Sequence, residues 1–285
     1  MESILKNKYV NDIIKSLENE FTVHILNKNN ISDGLANIYN KNKNNVKNLE
    51  EFKRDLYILN EYIKNSTANK DKSKSFVLSY ISKNNYVVNI DIIYLYECKL
   101  ENVFHELSHA LQYSKFGIIK TVSNKKQKLL YNYKTETQAD LFSYLLLILT
   151  ENKNINEILY KSAIGNYKKG HFSFPILYDI MENQKTILYS FKENNEINFI
   201  KLFEFTIQET INKTKVYADF LLKKEINMDT FINYLYNNNK NKYPNIYKNS
   251  KIELDIIKTK TFIKKYENSL QKANNNLDKN NEFSI

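Results

Sequence analysis

The spacing of apolar residues predicts both helix and sheet in the first third of the chain. Apolar positions at helical spacing predict amphipathic helices over about 3–19 and about 46–63. A short strand is expected at Phe21 to Leu26. Two runs rich in β-forming residues, Phe76 to Ile81 and Tyr86 to Ile90, are separated by a short polar loop and predict a β-hairpin. We therefore expect a small sheet before the second third of the chain.

Beyond the predicted hairpin the pattern becomes helical. Helices are predicted over about 101–114, 126–151 and 157–167, and further amphipathic stretches lie between Ile197 and Gln271. The tail from Ala273 is polar and is expected to be frayed. The expected fold class is α+β, predominantly helical, with a small sheet or hairpin followed by a helical second half.

The composition is that of a globular protein. The chain has 285 residues, of which 42% are hydrophobic and 26% charged, and it is long enough for one or two domains. The most apolar stretch, Leu141 to Thr150, is about half as long as a bilayer-spanning helix. The first residues show no apolar leader segment, and Cys98 is the only cysteine, so no intrachain disulfide is expected. We expect a soluble protein of the reducing cytoplasm.

The formal net charge of +10 raises the question of nucleic-acid or membrane binding. Nearly all of the positive charge comes from lysine, because Arg54 is the only arginine. Proteins that read base edges depend on the paired donors of arginine. The excess of Lys, Asn, Ile and Tyr is typical of an AT-rich genome. Nucleic-acid binding is therefore not the expected main role, and lysine-driven binding remains a lesser hypothesis.

The segment from Asn102 to Gln112 contains the strongest chemical signal. It places His105 and His109 four residues apart on a predicted helix, so both imidazoles lie on one face and can reach one Zn²⁺. Glu106 falls near that face, where its carboxylate can take a proton from a metal-activated water and pass it to a leaving amine. The spacing indicates two metal ligands and a general base.

A chance match is the alternative, since only three positions of this pattern are fixed. Apolar side chains surround the pair on the predicted helix: Val103, Phe104, Leu107, Ala110 and Leu111. Unpartnered imidazoles and a carboxylate in such a buried helix cost about a few kcal/mol per group. Metal coordination would remove that cost and is the favoured interpretation.

A hydrolytic zinc site needs a third protein ligand and an open fourth position. The pattern HisGluXaaXaaHisXaaXaaGlyXaaXaaHis is excluded, because Gln112 and Lys115 occupy its glycine and last histidine positions. Glu136 and Asp140 are four residues apart on the next predicted helix and share a face. Glu136 can ligate the metal, and Asp140 can accept a hydrogen bond from the outer N–H of a ligating histidine. Taken alone, the two acids fit a solvated acidic face better, and only their combination with the histidine pair favours a metal site.

The order HisGluXaaXaaHis, then GluXaaXaaXaaAsp on the following helix, resembles the gluzincin class of zinc metallopeptidases. Within that class the two segments are most similar to the ImmA/IrrE family of cytoplasmic metallopeptidases, over about residues 75–150, with Ser108 where that family usually has glycine. In that class an edge strand beside the cleft pairs with an extended peptide. The resemblance implies a zincin-like core with the following roles: His105, His109 and Glu136 as zinc ligands, Glu106 as catalytic base and acid, and Asp140 as their supporting partner.

Peptide hydrolysis also needs a hydrogen-bond donor for the developing oxyanion. His171 is a candidate, because Gly170 and Pro175 predict a loop that could overhang the cleft. An ordinary surface histidine is the alternative. Tyr131 and Tyr133 are weaker candidates, since tyrosine is abundant in this chain and mostly packs.

Two function hypotheses of different classes follow. The first is a zinc-dependent peptide or protein hydrolase with Glu106 as general base. The second is a regulatory or adaptor protein, in which an inactive zincin scaffold binds a partner through the helical second half. Both divide the chain into a metallopeptidase core with N-terminal helices and a small sheet at 1–155, a helical region at 156–272 and a polar tail at 273–285.

Overall fold

The computed structural model describes residues 4, 6–17, 21–25, 31–68, 75–81, 87–94, 99–116, 125–151, 153–163, 171–194, 196–223, 237 and 241–243. The first elements are α1 (Lys8–Ser16), β1 (Phe21–Ile25), α2 (Ile31–Asn42), α3 (Leu49–Ala68), β2 (Ser75–Ile81) and β3 (Val87–Tyr94). They are followed by α4 (Leu100–Phe116), α5 (Lys125–Glu151), α6 (Ile155–Ala163), α7 (Phe174–Asn183), α8 (Lys185–Ser190), β4 (Lys192–Glu193), β5 (Glu196–Ile197) and α9 (Phe199–Lys223). The predicted α+β, predominantly helical class with a small sheet is confirmed.

Apolar spacing located most of these elements. The predicted N-terminal helix and strand correspond to α1 and β1, and the next predicted helix corresponds to α3. The three helices predicted after the hairpin correspond to α4, α5 and α6, and the end of the last prediction lies outside the described residues. Of the stretches predicted beyond Ile197, α9 is described, and the predicted tail lies outside the described residues.

Helix α2 is an addition to the predicted elements. Its segment contains Gly34 and several asparagines, which are weak helix formers. Its apolar side chains Leu35 and Ile38 are buried in one cluster with Phe52 and Leu56 of α3. Packing against α3 therefore stabilises a helix that local propensity does not predict.

The small sheet has the strand order β1-β3-β2. Strands β2 and β3 are antiparallel, with Phe76 opposite Ile93, and confirm the predicted hairpin. Strand β1 runs parallel to β3, with Phe21 opposite Ile90. Parallel neighbours need a crossover connection, and α2 and α3 lie within that connection. Within the described sheet β2 is an edge strand, and α4 lies against β2 and β3.

Helix α5 is the central helix of the main core. Its side chains from Thr137 to Leu149 are all buried, because other elements cover it on every side. Helix α4 packs along it, and Phe142 of α5 meets Phe203 of α9 edge to face with ring centroids 5.6 Å apart. The same apolar cluster contains residues from both sides of the predicted boundary at 155. The division into a core and a helical region stays a prediction.

None of the helices within the described ranges is both long enough and apolar enough to cross a membrane. The longest of them, α5, has 27 residues, but its first turn contains lysines and its middle contains Glu136 and Asp140. These polar residues divide α5 into a charged first half and an apolar second half that packs in the core.

Candidate metal centre

Helix α4 brings two imidazoles together on one face. His105 and His109 are one turn apart, and their rings stand at 84° to each other with centroids 4.8 Å apart. Their Nε2 atoms are 3.1 Å apart, so both nitrogens face a common point. The apolar residues Leu107, Ala110 and Leu111 lie on the other side of α4 and are buried in the core. Burial of this apolar face therefore directs the two histidines away from the core interior.

Glu136 of α5 faces the two histidines. Its Oε2 lies 3.3 Å from Nε2 of His105 and 3.4 Å from Nε2 of His109. In a tetrahedral zinc site with bonds of about 2.0–2.1 Å, the ligand atoms lie about 3.3–3.4 Å from one another. The three atoms therefore have nearly the spacing of one face of such a tetrahedron. Two imidazole nitrogens and a carboxylate oxygen are also donor types that zinc binds, so these residues fit the ion.

The centre is accessible from one side. The side chain of Glu136 is 27% exposed and that of His171 is 22% exposed, whereas that of His109 is only 11% exposed. Structural zinc sites are closed by four protein ligands, and catalytic zinc sites keep one position open. Among the described residues three ligand atoms converge here, and the side chains of Glu136 and His171 are partly exposed to solvent.

Hydrogen bonds at the outer ring nitrogens orient both histidines. His105 Nδ1 lies 2.9 Å from Oδ1 of Asp140, and His109 Nδ1 lies 3.0 Å from Oε1 of Gln112. Both partners are acceptors, so each histidine donates a proton from Nδ1 and directs Nε2 towards the centre. Metal-ligating histidines have this arrangement. Gln112 is not among the residues predicted from the sequence, although its position three residues after His109 places it on the same helix face.

Asp140 also contacts a third histidine. Its Oδ2 accepts a hydrogen bond from Nδ1 of His171 at 3.0 Å, and Nε2 of His171 then lies 3.6 Å from Oε2 of Glu136. The backbone N–H of Phe172 donates to Oγ1 of Thr137 at 3.1 Å and attaches this segment to α5. The structure thus brings His171 to the centre together with the four residues predicted as ligands or their support, His105, His109, Glu136 and Asp140.

The predicted loop ends soon after His171 in the structure. Helix α7 begins at Phe174, and Pro175 lies in its first turn, where the missing N–H of proline costs no helical hydrogen bond. Pro175 therefore marks the start of a helix and not the far side of a loop. Gly170 lies outside the described residues.

Ion pairing sets the charge states of the histidines and Glu136. Burial by itself lowers the pKa of His105, but hydrogen bonds to Asp140 and Glu136 outweigh burial and raise this pKa well above its usual value. Burial also lowers the pKa of His109, and the charge of Glu136 reverses the shift and raises it. Burial raises the pKa of Glu136, yet the charge of His109 and the hydrogen bonds from both histidines hold it well below its usual value. The metal-free cluster is therefore a set of ion pairs.

The other two carboxyl groups are shifted in opposite directions. Burial raises the pKa of Asp140, but the charge of His171 and the hydrogen bonds from His105 and His171 lower it to about 2. Burial raises the pKa of Glu106, and the charges of His105 and His109 offset only part of this rise. A carboxylate with a raised pKa is a stronger base than an ordinary glutamate. Asp140 instead stays a negatively charged acceptor.

The two candidate tyrosines differ in position. Tyr131 is half-buried, and both burial and the negative charge of Glu136 raise its pKa, so its hydroxyl lies within the field of the centre. Tyr133 is buried, and its ring lies 5.6 Å from the ring of Phe172. Tyr133 therefore supports the segment that contains His171.

We expect Asp140→Asn to weaken zinc affinity by about 10- to 100-fold, the usual cost of losing a partner of a ligating histidine. One carboxylate accepts from two imidazoles, whereas the amide group of asparagine turns an N–H towards one of them. Competition with a chelator measures the affinity. Asp179→Asn is the matched control, because Asp179 pairs with Lys213 at 2.7 Å on the surface. Equal zinc affinity in Asp140→Asn and wild type would contradict the assigned role.

Comparison with known proteins leaves the family of this chain open. A stretch of 137 residues is 27% identical to part of the DNA-directed RNA polymerase subunit beta of Chlorella vulgaris. The match takes in 43% of this chain and 10% of that subunit, so the chain spans about a tenth of the length of this relative. No family model and no solved structure matches the chain.

Proposed function

We propose that this protein is a zinc-dependent peptide or protein hydrolase of the gluzincin type. The proposal depends on one observation, the convergence of Nε2 of His105, Nε2 of His109 and Oε2 of Glu136 at 3.1 to 3.4 Å from one another. The order of the two motifs on two packed helices and the accessible side of the centre support it. The resemblance of these motifs to the ImmA/IrrE family supports the same class of protein.

The role proposed for Glu106 follows from its place beside the ligands. Zinc bound at this centre would act as a Lewis acid on the scissile carbonyl and lower the pKa of a water molecule. Glu106 adjoins His105 in the chain, and its carboxyl group interacts electrostatically with both histidines and Glu136. With its raised pKa, Glu106 accepts a proton from the attacking water and delivers it to the leaving amine. Glu106 is thus both general base and general acid.

His171 is proposed to stabilise negative charge on the substrate. Its Nδ1 donates to Asp140, which fixes the ring, and its Nε2 lies on the Glu136 side of the centre. An Nε2–H at this position can donate a hydrogen bond to the oxyanion that develops during attack on the carbonyl. The hydrogen bond to Asp140 holds the ring so that Nε2 faces the centre.

An extended peptide is the substrate that the sheet favours. Strand β2 lies at the edge of the described sheet and against α4, the helix that holds the two histidines. Edge strands present unpaired backbone groups and bind extended peptides by adding a strand. We therefore propose that the substrate backbone pairs with β2 and places its scissile bond near the centre.

Metal removal and restoration test this proposal. The purified protein is loaded with one equivalent of zinc and incubated with a sequence-diverse mixture of unfolded proteins, and mass spectrometry identifies new peptide termini. We expect cleavage that disappears when the zinc is chelated and returns when zinc is added. Chelation removes the proposed Lewis acid, and added zinc restores it.

The outcomes separate the hypotheses. Stoichiometric zinc without cleavage of any protein would favour the alternative of an inactive scaffold with a partner-binding helical region. A wild-type protein that binds no zinc would overturn the proposed function altogether. Cleavage that persists in the presence of the chelator would show that the activity does not depend on this centre.

A further inference from the structure

A line of buried hydrogen bonds continues outward from the metal centre beyond His109. Gln112 accepts a hydrogen bond from Nδ1 of His109 at 3.0 Å and donates from Nε2 to Oε1 of Gln138. Gln138 donates from Nε2 to Oγ1 of Thr206 at 2.8 Å. Gln112 and Gln138, which we name the glutamine bridge, thus join α4, α5 and α9. All three side chains of this line beyond His109 are buried, with exposures of 6%, 3% and 0%.

A backbone carbonyl sets the orientation of the Gln112 side-chain amide in the glutamine bridge. Nε2 of Gln112 also donates to the carbonyl oxygen of Thr135 at 2.9 Å. Because a carbonyl only accepts, the Gln112 amide must direct its NH₂ group there and its oxygen towards His109. His109 must then donate from Nδ1, so Nε2 is the ring nitrogen that faces the centre and is available to a metal.

A second backbone carbonyl sets the orientation of the Gln138 side-chain amide. The hydroxyl of Thr206 donates to the carbonyl oxygen of Phe203 at 2.7 Å, so its oxygen accepts from Nε2 of Gln138. Oε1 of Gln138 then faces Gln112, and the Ser108 hydroxyl donates to the same oxygen at 3.0 Å. Reversing the Gln138 amide would place its NH₂ group against the NH₂ group of Gln112, and both of these groups only donate. The two amides therefore have one consistent orientation.

We infer that the glutamine bridge is a positioning device that holds His109 in its metal-binding tautomer, and that α9 belongs to the metal centre through Thr206. The inference rests on the proposed function in one respect, namely that His109 binds a metal ion. The hydrogen-bond directions themselves hold whether or not the protein is a hydrolase. Gln112, Gln138 and Thr206 act through His109 and are positioning residues.

The inference also gives a role to part of the helical second half. The predicted division placed α9 in the helical region at 156–272, outside the metallopeptidase core, and the adaptor hypothesis used that region only for partner binding. Thr206 instead lies in the same buried network as a proposed metal ligand. A change in α9 is therefore expected to alter zinc affinity without any contact between α9 and the metal.

The near end of the bridge is tested with Gln112→Leu. This variant removes the acceptor for His109 Nδ1, and we expect zinc affinity to fall by about 10- to 100-fold. Histidine-selective ¹⁵N labelling gives a second readout in the zinc-free protein. Wild type is expected to show a slowly exchanging Nδ1 proton on His109, and Gln112→Leu is expected to lose it.

The far end is tested with two substitutions of one residue. Thr206→Val keeps the shape and removes the hydroxyl, so zinc affinity is expected to fall by about 2- to 10-fold, the net worth of one hydrogen bond. Thr206→Ser restores the hydroxyl and is expected to restore the affinity. Thr214→Val is the matched control, because Thr214 is a buried threonine of α9 that donates to Thr210 within the helix. It is expected to leave zinc affinity unchanged.

The outcomes distinguish this inference from the proposed function. If wild type binds zinc and Gln112→Leu binds it equally tightly with the His109 Nδ1 proton still protected, the inference is overturned and the hydrolase proposal stands. If wild type binds no zinc, the proposed function fails, and the exchange of the Nδ1 proton in Gln112→Leu still decides the inference. Equal losses in Thr206→Val and Thr214→Val would show a general destabilisation of α9 and would overturn the role of Thr206.

Discussion

Glu136→Ala is expected to abolish stoichiometric zinc binding. The variant removes one of the three converging ligand atoms and keeps Nε2 of His105 and Nε2 of His109, and two protein ligands do not make a zinc site of the hydrolytic type. The loss should exceed the ~10- to 100-fold effect of removing a supporting partner such as Asp140. Zinc content after dialysis and affinity measured against a competing chelator give the result.

Glu182→Ala is the matched control for this variant. Glu182 is an exposed acid on α7, so its removal tests the loss of one negative charge without the loss of a ligand. Circular dichroism checks that both variants are folded, since removing Glu136 takes away the carboxylate that pairs with both His105 and His109. If Glu136→Ala bound one zinc per chain as tightly as wild type, the third ligand would be wrong and the hydrolase proposal would lose its main support.

Glu106→Gln is expected to reduce peptide hydrolysis by about 10²- to 10⁴-fold, the usual contribution of a general acid or base. Glutamine has the same shape as glutamate but accepts no proton at neutral pH, so the loss should appear in kcat with little change in KM. Zinc content should stay at one per chain, because Glu106 is not among the three converging ligand residues. Single-turnover cleavage of a substrate found by mass spectrometry measures the chemical step.

Glu101→Gln is the control for the general base. Glu101 lies on the same helix, and its carboxylate pairs with Lys161 at 3.1 Å. Its substitution is expected to leave both zinc content and cleavage unchanged. Full activity in zinc-loaded Glu106→Gln would assign proton transfer to another group, and His171 and Tyr131 would then be the first groups to test.

Part of the candidate centre could be predicted from the spacing of residues along the chain. Helical periodicity alone placed His105 and His109 on one face and placed Glu136 and Asp140 on one face, because residues four apart on a helix are neighbours whatever the rest of the fold does. The hairpin was also predictable, since two runs of β-forming residues flank a polar loop. These features depend on residues close together in sequence.

Contacts between residues far apart in the chain could not be predicted from local sequence patterns. The meeting of His171 with Asp140 spans 31 residues, and the bond from Gln138 to Thr206 spans 68. Such pairs form only when apolar faces on different helices pack together, and many packings satisfy the same apolar pattern. The parallel pairing of β1 with β3 and the helix α2 belong to this group as well.

The amino-acid sequence by itself thus determined the class of fold, the hairpin and which side chains share a helix face, because backbone geometry repeats every few residues. Only the tertiary structure decided that Glu136 lies 3.3 Å from His105, that Asp140 accepts from two histidines and that α9 reaches the centre through a buried glutamine bridge. The physical reason is that the relative placement of helices depends on the packing of whole apolar surfaces, and this packing is a property of the complete core.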